Sequence, residues 1–256
     1  GNLRPRYYEG IDLIMKAWQA TEPFAYNGRF NQQRYVNPVP RPWQQPHPPV
    51  WIPGGGSIET WDFCAKNDFV YGALTYYGYK MVRETVAGYW QRVEAHGRDD
   101  NPHRLAVTQF IGVADNDAEA YKLYREPAEY FFNRSLHVYA GFTDAPGYVT
   151  EASVRARYQS QVRQVARNKQ AKHDLTWDEM VDNGYVVIGG PDTVREQLEE
   201  AARELRIGHL CAMLQFGNMS DELTRYNTKL FGEKVAPGLR TLFSEYDDPW
   251  WPQNAR

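Results

Sequence analysis

Two cysteines, Cys64 and Cys211, are all the thiol that 256 residues contain, too few for a disulfide framework and in keeping with a reducing cytoplasm. Apolar runs are short: stretches such as Phe69 to Thr75 fall far below the roughly 20 residues a membrane-spanning helix needs, and nothing at the start has the pattern of a secretory h-region. Charge of one sign is also lacking. With 29 Lys and Arg against 32 Asp and Glu, a formal net charge of −3 and mixed signs throughout, no sustained basic face exists for nucleic acid or anionic lipid. Aromatic bulk is what the chain has. Its 8 Trp, 18 Tyr and 11 Phe bury enough area to build one sizeable core, despite a mean hydropathy of −0.68.

Residues 5 to 20 set Tyr7, Ile11, Ile14, Met15 and Trp18 at helical spacing, so this opening helix needs a packing partner. The expectation is a strand that the sequence does not contain, or another chain. Seven prolines between Pro38 and Pro53 then forbid helix and imply an extended surface connection. Four strand-then-helix units follow. Val50 to Pro53 leads through three glycines into a helix with Ile58, Trp61, Cys64 and Ala65 on one stripe. Phe69 to Thr75 leads through Tyr76-Tyr77-Gly78 to Val82, Val86, Tyr89, Trp90 and Val93, with Gly97 as the C-terminal stop. Leu105 to Val113 leads through Asp115-Asn116-Asp117 to a helix carrying Tyr121, Tyr124, Tyr130 and Phe131, and His209 to Phe216 leads to one carrying Leu223, Leu230 and Phe231. Residues 114–206 read as a helical insertion region, with a capping box from Thr176 to Glu179 and a helix through Val194, Leu198 and Leu205. Alternating strands and helices predict parallel strands joined by helical crossovers, an α/β fold in a single domain over 1–256.

The most informative stretch is Val50-Trp51-Ile52-Pro53-Gly54-Gly55-Gly56-Ser57-Ile58-Glu59-Thr60. Glycines after a strand let the backbone approach a ligand, and the unpaired N–H groups and dipole of the following helix favour an anion. Ser57 and Thr60 can add hydroxyls from one side of the first turn. No Gly-Lys-Ser/Thr follows, so this is not a Walker A loop, and Glu59 stands where a dinucleotide fingerprint needs its third glycine. Two readings remain open: a phosphate grip, or a glycine turn with Ser57 as a plain N-cap.

Other chemistry is sparse. His47, His96, His103, His137, His173 and His209 are scattered without metal-ligand spacing, so no metal is expected. Cys211 reads as buried packing, and the pairs Asp99-Asp100 and Asp247-Asp248 as solvated turn residues. Tyr121, Tyr124, Tyr130, Phe131 and Phe132 read as helix packing first and a lid over a site second. Tyr76, Tyr77, Gln109 and Gln215 lie in or after the ends of strands, the position from which they would reach a ligand or simply pack.

Three segments together carry a resemblance: Pro40 to Thr60, Gly189-Gly190-Pro191-Asp192-Thr193-Val194-Arg195-Glu196-Gln197-Leu198, and Leu214 to Met219 with Asn227, Leu230-Phe231 and Val235-Ala236-Pro237. In this order they resemble the bacterial luciferase-like, flavin-dependent monooxygenases. The resemblance implies a (β/α)8 TIM-type barrel, of which this chain holds the fifth to eighth βα units, the segments that hold the flavin ring belonging to the first four. It implies reduced FMN as cofactor, supplied by a separate flavin reductase, with Gly55, Gly56, Ser57 and Thr60 on its phosphate. Tyr76, Tyr77, Gln109 and Gln215 would then line the ring or substrate pocket. The implied reaction inserts one atom of O2 into a small organic substrate, with catalytic residues unassigned and a cytoplasmic homodimer as the expected assembly. A deazaflavin-dependent hydride-transfer enzyme shares the same signals, as does a non-catalytic fragment or subunit.

Overall fold

The computed structural model describes residues 3–136, 150–159 and 174–251, with 156–159 as backbone. His137 and His173 lie outside the described residues. The chain opens with helix α1 (Leu3–Gln19) and an antiparallel hairpin of β1 (Phe24–Asn27) and β2 (Gln32–Val36). The proline segment follows, and then β3 (Trp51–Gly54), α2 (Ile58–Asn67), β4 (Val70–Leu74) and α3 (Arg83–Ala95). Next come β5 (Leu105–Val113), α4 (Asp117–Tyr130), α5 (Glu151–Gln159) and α6 (Trp177–Asp182). The last elements are β6 (Val186–Gly189), α7 (Pro191–Leu205), β7 (His209–Met213), α8 (Asp221–Leu230) and the short α9 (Ala236–Leu239).

Strands β3 to β7 form one five-stranded, wholly parallel sheet. The long β5 is its hub. Its first half pairs with β4, Tyr71 opposite Leu105, its middle with β7, Ala106 opposite His209, and its end with β6, Phe110 opposite Val186. Period-two alternation assigns the two faces. Leu105 and Val107 join Tyr71, Val86, Tyr89 and Val93 in one core cluster, and Ile111 and Val113 join Val194, Leu198 and Ala201 of α7 in another. On the opposite face Phe110 packs with Phe131, Phe132 and Phe216, while Ala106 and Val70 lie under Trp250.

Four expectations need correction, and one element is additional to them. The segment 114–206 is not wholly helical, because Val186–Gly189 is a fully buried strand. A hairpin, unforeseen, stands between α1 and the prolines. It is held by the Glu9 carboxylate, which accepts from the backbone N–H groups of Arg29 (2.8 Å), Phe30 (2.9 Å) and Asn31 (2.7 Å). Helix α1 finds its partner within the chain: Ile11 and Met15 pack on the first core cluster and Tyr8 stacks on Phe63 of α2 at 4.6 Å, leaving Ile14 43% exposed. Cys211 is exposed rather than packed, since it shares a face with His209 and Met213 while Leu210 and Ala212 point to the helices. The acidic pairs are not simply solvated either: Asp99 pairs with the buried Arg104 at 2.7 Å, and Asp248 faces two histidines. The sites expected of Gly97, at φ +66, and of the Thr176 capping box are as the sequence suggests.

Candidate functional site

The glycine loop lies at the C-terminal end of β3 and its shape is set by two constraints. At Gly54 the Tyr71 hydroxyl donates to the backbone carbonyl at 2.8 Å, and a Cβ would stand 2.9 Å from the Tyr71 ring, so no side chain fits without moving it. Gly56 has φ +92, the left-handed region that costs other residues strain. Together they swing the chain from the strand into α2. Ser57 caps that helix from extended backbone, its Oγ accepting from the Thr60 N–H at 3.4 Å and lying 2.7 Å from Thr60 Oγ1. A pair of hydroxyls is thereby held at a helix N-terminus, the geometry expected of an anion grip.

Two charged groups complete this corner: Arg4, which no local motif marks, and Glu59, noted in the sequence only as the residue in the third-glycine position. The Arg4 guanidinium, 53 residues upstream, donates through Nη2 to Ser57 Oγ at 3.3 Å and to Glu59 Oε2 at 3.1 Å. Glu59 also accepts from the Thr150 hydroxyl and from Ser153 Oγ at 2.8 Å. Burial works to raise the Glu59 pKa, but the Thr150 and Ser153 hydrogen bonds and the Arg4 charge outweigh it, so its carboxyl lies below the ordinary range. Glu59 is thus an ionised tie between α1, α2 and the start of α5, and it balances Arg4 beside the hydroxyl pair. The corner offers donors and positive charge. Such donors suit an anion, and the corner offers no unpaired acid or base for chemistry, Glu59 being tied to Arg4, Thr150 and Ser153.

The other residues singled out from the sequence are not gathered here. Tyr76 follows β4 and packs its ring on Phe110 at 6.2 Å, while Tyr77 is 47% exposed. Gln215 is exposed beyond the end of β7, on the same face as Cys211 and Met213. Gln109 is only 2% exposed and faces the helices: its amide donates to the carbonyls of Phe110, Gly184 and Tyr185, and it lines a cavity of about 80 Å³ with Leu198, Ala201 and Phe243. It does not reach the end of the sheet where the glycine loop stands. Of the aromatic group, Tyr124 and Phe132 are core, and Tyr121 and Tyr130 are exposed.

At the opposite ends of the same parallel strands the fold undoes the scatter of histidines. His103, just before β5, and His209, the first residue of β7, converge on Asp248, with one donor atom from each within 4.8 Å of the others.

The family model described as luciferase-like monooxygenase matches residues 3–208. The monooxygenase RslO1 from Streptomyces bottropensis is similar with a TM-score of 0.62 at 18% identity, over 92% of this chain and 61% of that one. The oxygenating constituent of 3,6-diketocamphane monooxygenase from Pseudomonas putida, solved in complex with FMN, gives 0.63 at 21%, over 92% and 64%. The coenzyme F420-dependent tetrahydromethanopterin reductase from Methanopyrus kandleri gives 0.56 at 15%, over 91% and 62%. At such identities these are likenesses of fold, and this chain spans about three-fifths of the length of the structures it matches. No curated protein sequence matches it significantly. The family model, covering most of the chain, decides the assignment: this protein belongs to the luciferase-like monooxygenase family.

Proposed function

We propose that this chain is part of a flavin-dependent monooxygenase that takes reduced FMN from a separate flavin reductase and uses O2 to oxygenate a small organic substrate. One observation carries the reading: the Ser57 and Thr60 hydroxyls, 2.7 Å apart at the N-terminus of α2, behind a glycine loop opened by Gly54 and Gly56. When bound, the flavin supplies the oxygen-activating chemistry. The chain's own residues bind and orient. Gly55, where an added Cβ would meet no atom within 4 Å, and Gly56 let the phosphate approach the backbone, Ser57 and Thr60 donate to it, and Arg4 adds charge. Tyr76, Tyr77 and Gln215 stay in the proposal as contacts to ring or substrate. Gln109 enters it only as support from behind the sheet.

The proposal includes the architecture. Strands β3, β4, β5 and β7 would be the fifth to eighth strands of an eight-stranded barrel, with β6 lying outside the round; their parallel order and the solved relatives support this. A homodimer, with Leu3 and Tyr7 exposed on α1, also belongs to the proposal. A second reading, hydride transfer with a deazaflavin, is favoured by the F420-dependent reductase among the structural relatives.

The test compares FMN with riboflavin, which lacks the phosphate, by fluorescence titration. Ser57→Ala and Thr60→Ala are each expected to weaken FMN roughly ten- to a hundredfold, as loss of a hydrogen bond to a charged group worth about 1.5–3 kcal/mol implies, and to leave riboflavin unchanged. Equal FMN affinity in the double variant and the wild type would remove the phosphate grip. Oxygen uptake with reduced FMN, against none with reduced F420, separates the two reactions.

A further inference from the structure

The cluster at the far ends of the strands lies apart from the phosphate grip and does not depend on the flavin reading. We propose that His103 Nδ1, His209 Nε2 and the Asp248 carboxylate bind one divalent transition-metal ion of the zinc class, clamping the C-terminal segment across the start of the sheet.

The three residues come from three segments of the chain, brought together by the pairing of Ala106 with His209, which sets His103 beside the first residue of β7. Both nitrogens are buried and neither has a hydrogen-bond partner among the described residues. They stand 3.6 Å (His103 to Oδ2) and 3.5 Å (His209 to Oδ1) from the carboxylate, one histidine on each oxygen. A histidine–aspartate hydrogen bond would close to about 2.7–3.2 Å. Donor atoms about 2.0–2.2 Å from a shared tetrahedral ion stand roughly 3.4 Å apart, close to the two histidine–carboxylate separations, and all three donors lie within 4.8 Å of one another.

The supports are in place before any ion arrives. Trp51 packs on the His209 ring at 4.6 Å and Trp251 stacks on it at 5.9 Å. Asp248 is delivered by a segment held on both sides: Asn101 donates to the Asp247 carbonyl at 2.8 Å, Trp51 donates to the Trp250 carbonyl at 3.3 Å, and the Trp250 indole donates to the Asp68 carbonyl at 2.7 Å. The Trp250 N–H donates to Asp248 Oδ1 at 3.2 Å, a bond that orients a ligating carboxylate. Two imidazoles and one carboxylate select Zn2+ or Co2+ over Mg2+ and Ca2+, which take oxygen donors, and leave a fourth position for water.

The test titrates Zn2+ against a chromophoric competitor into tag-free, chelator-treated protein, with Co2+ in parallel for its visible spectrum. One equivalent per chain is expected, with a tetrahedral Co2+ spectrum and a melting temperature that rises with Zn2+. Asp248→Asn and His103→Gln should each weaken binding at least about a hundredfold, since even loss of an outer-shell partner typically costs 10–100-fold. Their circular dichroism should match that of the wild type, and their melting should no longer respond to Zn2+. Tight binding that survives both substitutions, an octahedral Co2+ spectrum shared by the variants, or equal affinity for Mg2+ would each overturn the site.

Discussion

Replacing Asn227 by leucine is expected to destabilise the protein severely, although the two side chains are similar in size and the position is completely buried. Asn227 is the polar pin between α8 and the sheet. Its Oδ1 accepts from the Val113 N–H at 2.8 Å, and its Nδ2 donates to the carbonyls of Ile111 at 2.7 Å and Leu214 at 2.8 Å. Leucine would leave one buried donor and two buried acceptors short of a partner. Each such loss costs about 1–3 kcal/mol, the donor most because it has no second site, so a total near 3–5 kcal/mol is expected. A domain's whole stability is about 5–15 kcal/mol. In urea, with m near 3 kcal/mol/M, the unfolding midpoint should fall by about 1–1.7 M. Asn227→Asp supplies the control: a carboxylate can still accept from Val113 but sets an oxygen against two carbonyl oxygens. It should therefore destabilise as much at pH 7 and recover relative to the leucine variant when the acid is protonated. A loss below about 1 kcal/mol for leucine, or an aspartate variant insensitive to pH, would refute the accounting.

Gly54→Ala should cost about 1–3 kcal/mol by overpacking, read as a lowered melting temperature, because its Cβ would meet the Tyr71 ring at 2.9 Å. Titration with a thiol reagent should label Cys211 in the native protein and spare Cys64, whose thiol burial pushes up to about 12; two fast thiols would contradict this. Burial acts to raise the Glu9 pKa, but the backbone bonds from Phe30, Asn31 and Arg29 prevail and lower it. Its stabilisation of the hairpin is accordingly present above the unfolded value of 4.5 and lost as pH falls through the depressed folded value, so carboxyl NMR should place its midpoint below 4.5 and Glu9→Gln should loosen the turn.

What the sequence reveals of this protein depends on whether a feature is made locally or by convergence. Buried parallel strands are largely apolar, which is why Leu105–Val113 is legible to the residue and the starts of the other three expected strands to within one residue, although His209 to Phe216 overruns the strand that ends at Met213. Val186–Gly189 escapes notice because four apolar residues between helical patterns carry no period of their own, and they become a strand only by lying beside the end of β5. The hairpin escapes for the opposite reason: Gln32 to Tyr35 are exposed and show no alternation, and a side chain of α1 organises the turn.

The two ends of the sheet show the same division. At the glycine loop the function proposed is carried by backbone freedom and by hydroxyls three residues apart, all within one turn, and a reader of the sequence finds every part except Arg4, whose reach across 53 positions no spacing rule records. At the other end His103 and His209 are separated by 106 positions and Asp248 by 39 more, so no motif could join them. Parallel pairing does so automatically: setting β7 beside β5 aligns their starts, and residues at the starts of neighbouring strands meet whatever their distance along the chain. The rule that gathers ligand-binding loops at the C-terminal edge of a parallel sheet therefore gathers side chains at the N-terminal edge as well. Asp248, read from its turn as solvated, takes on a different role there because Trp51 and Trp250, packed together on one face of the sheet, fasten its segment over the histidines.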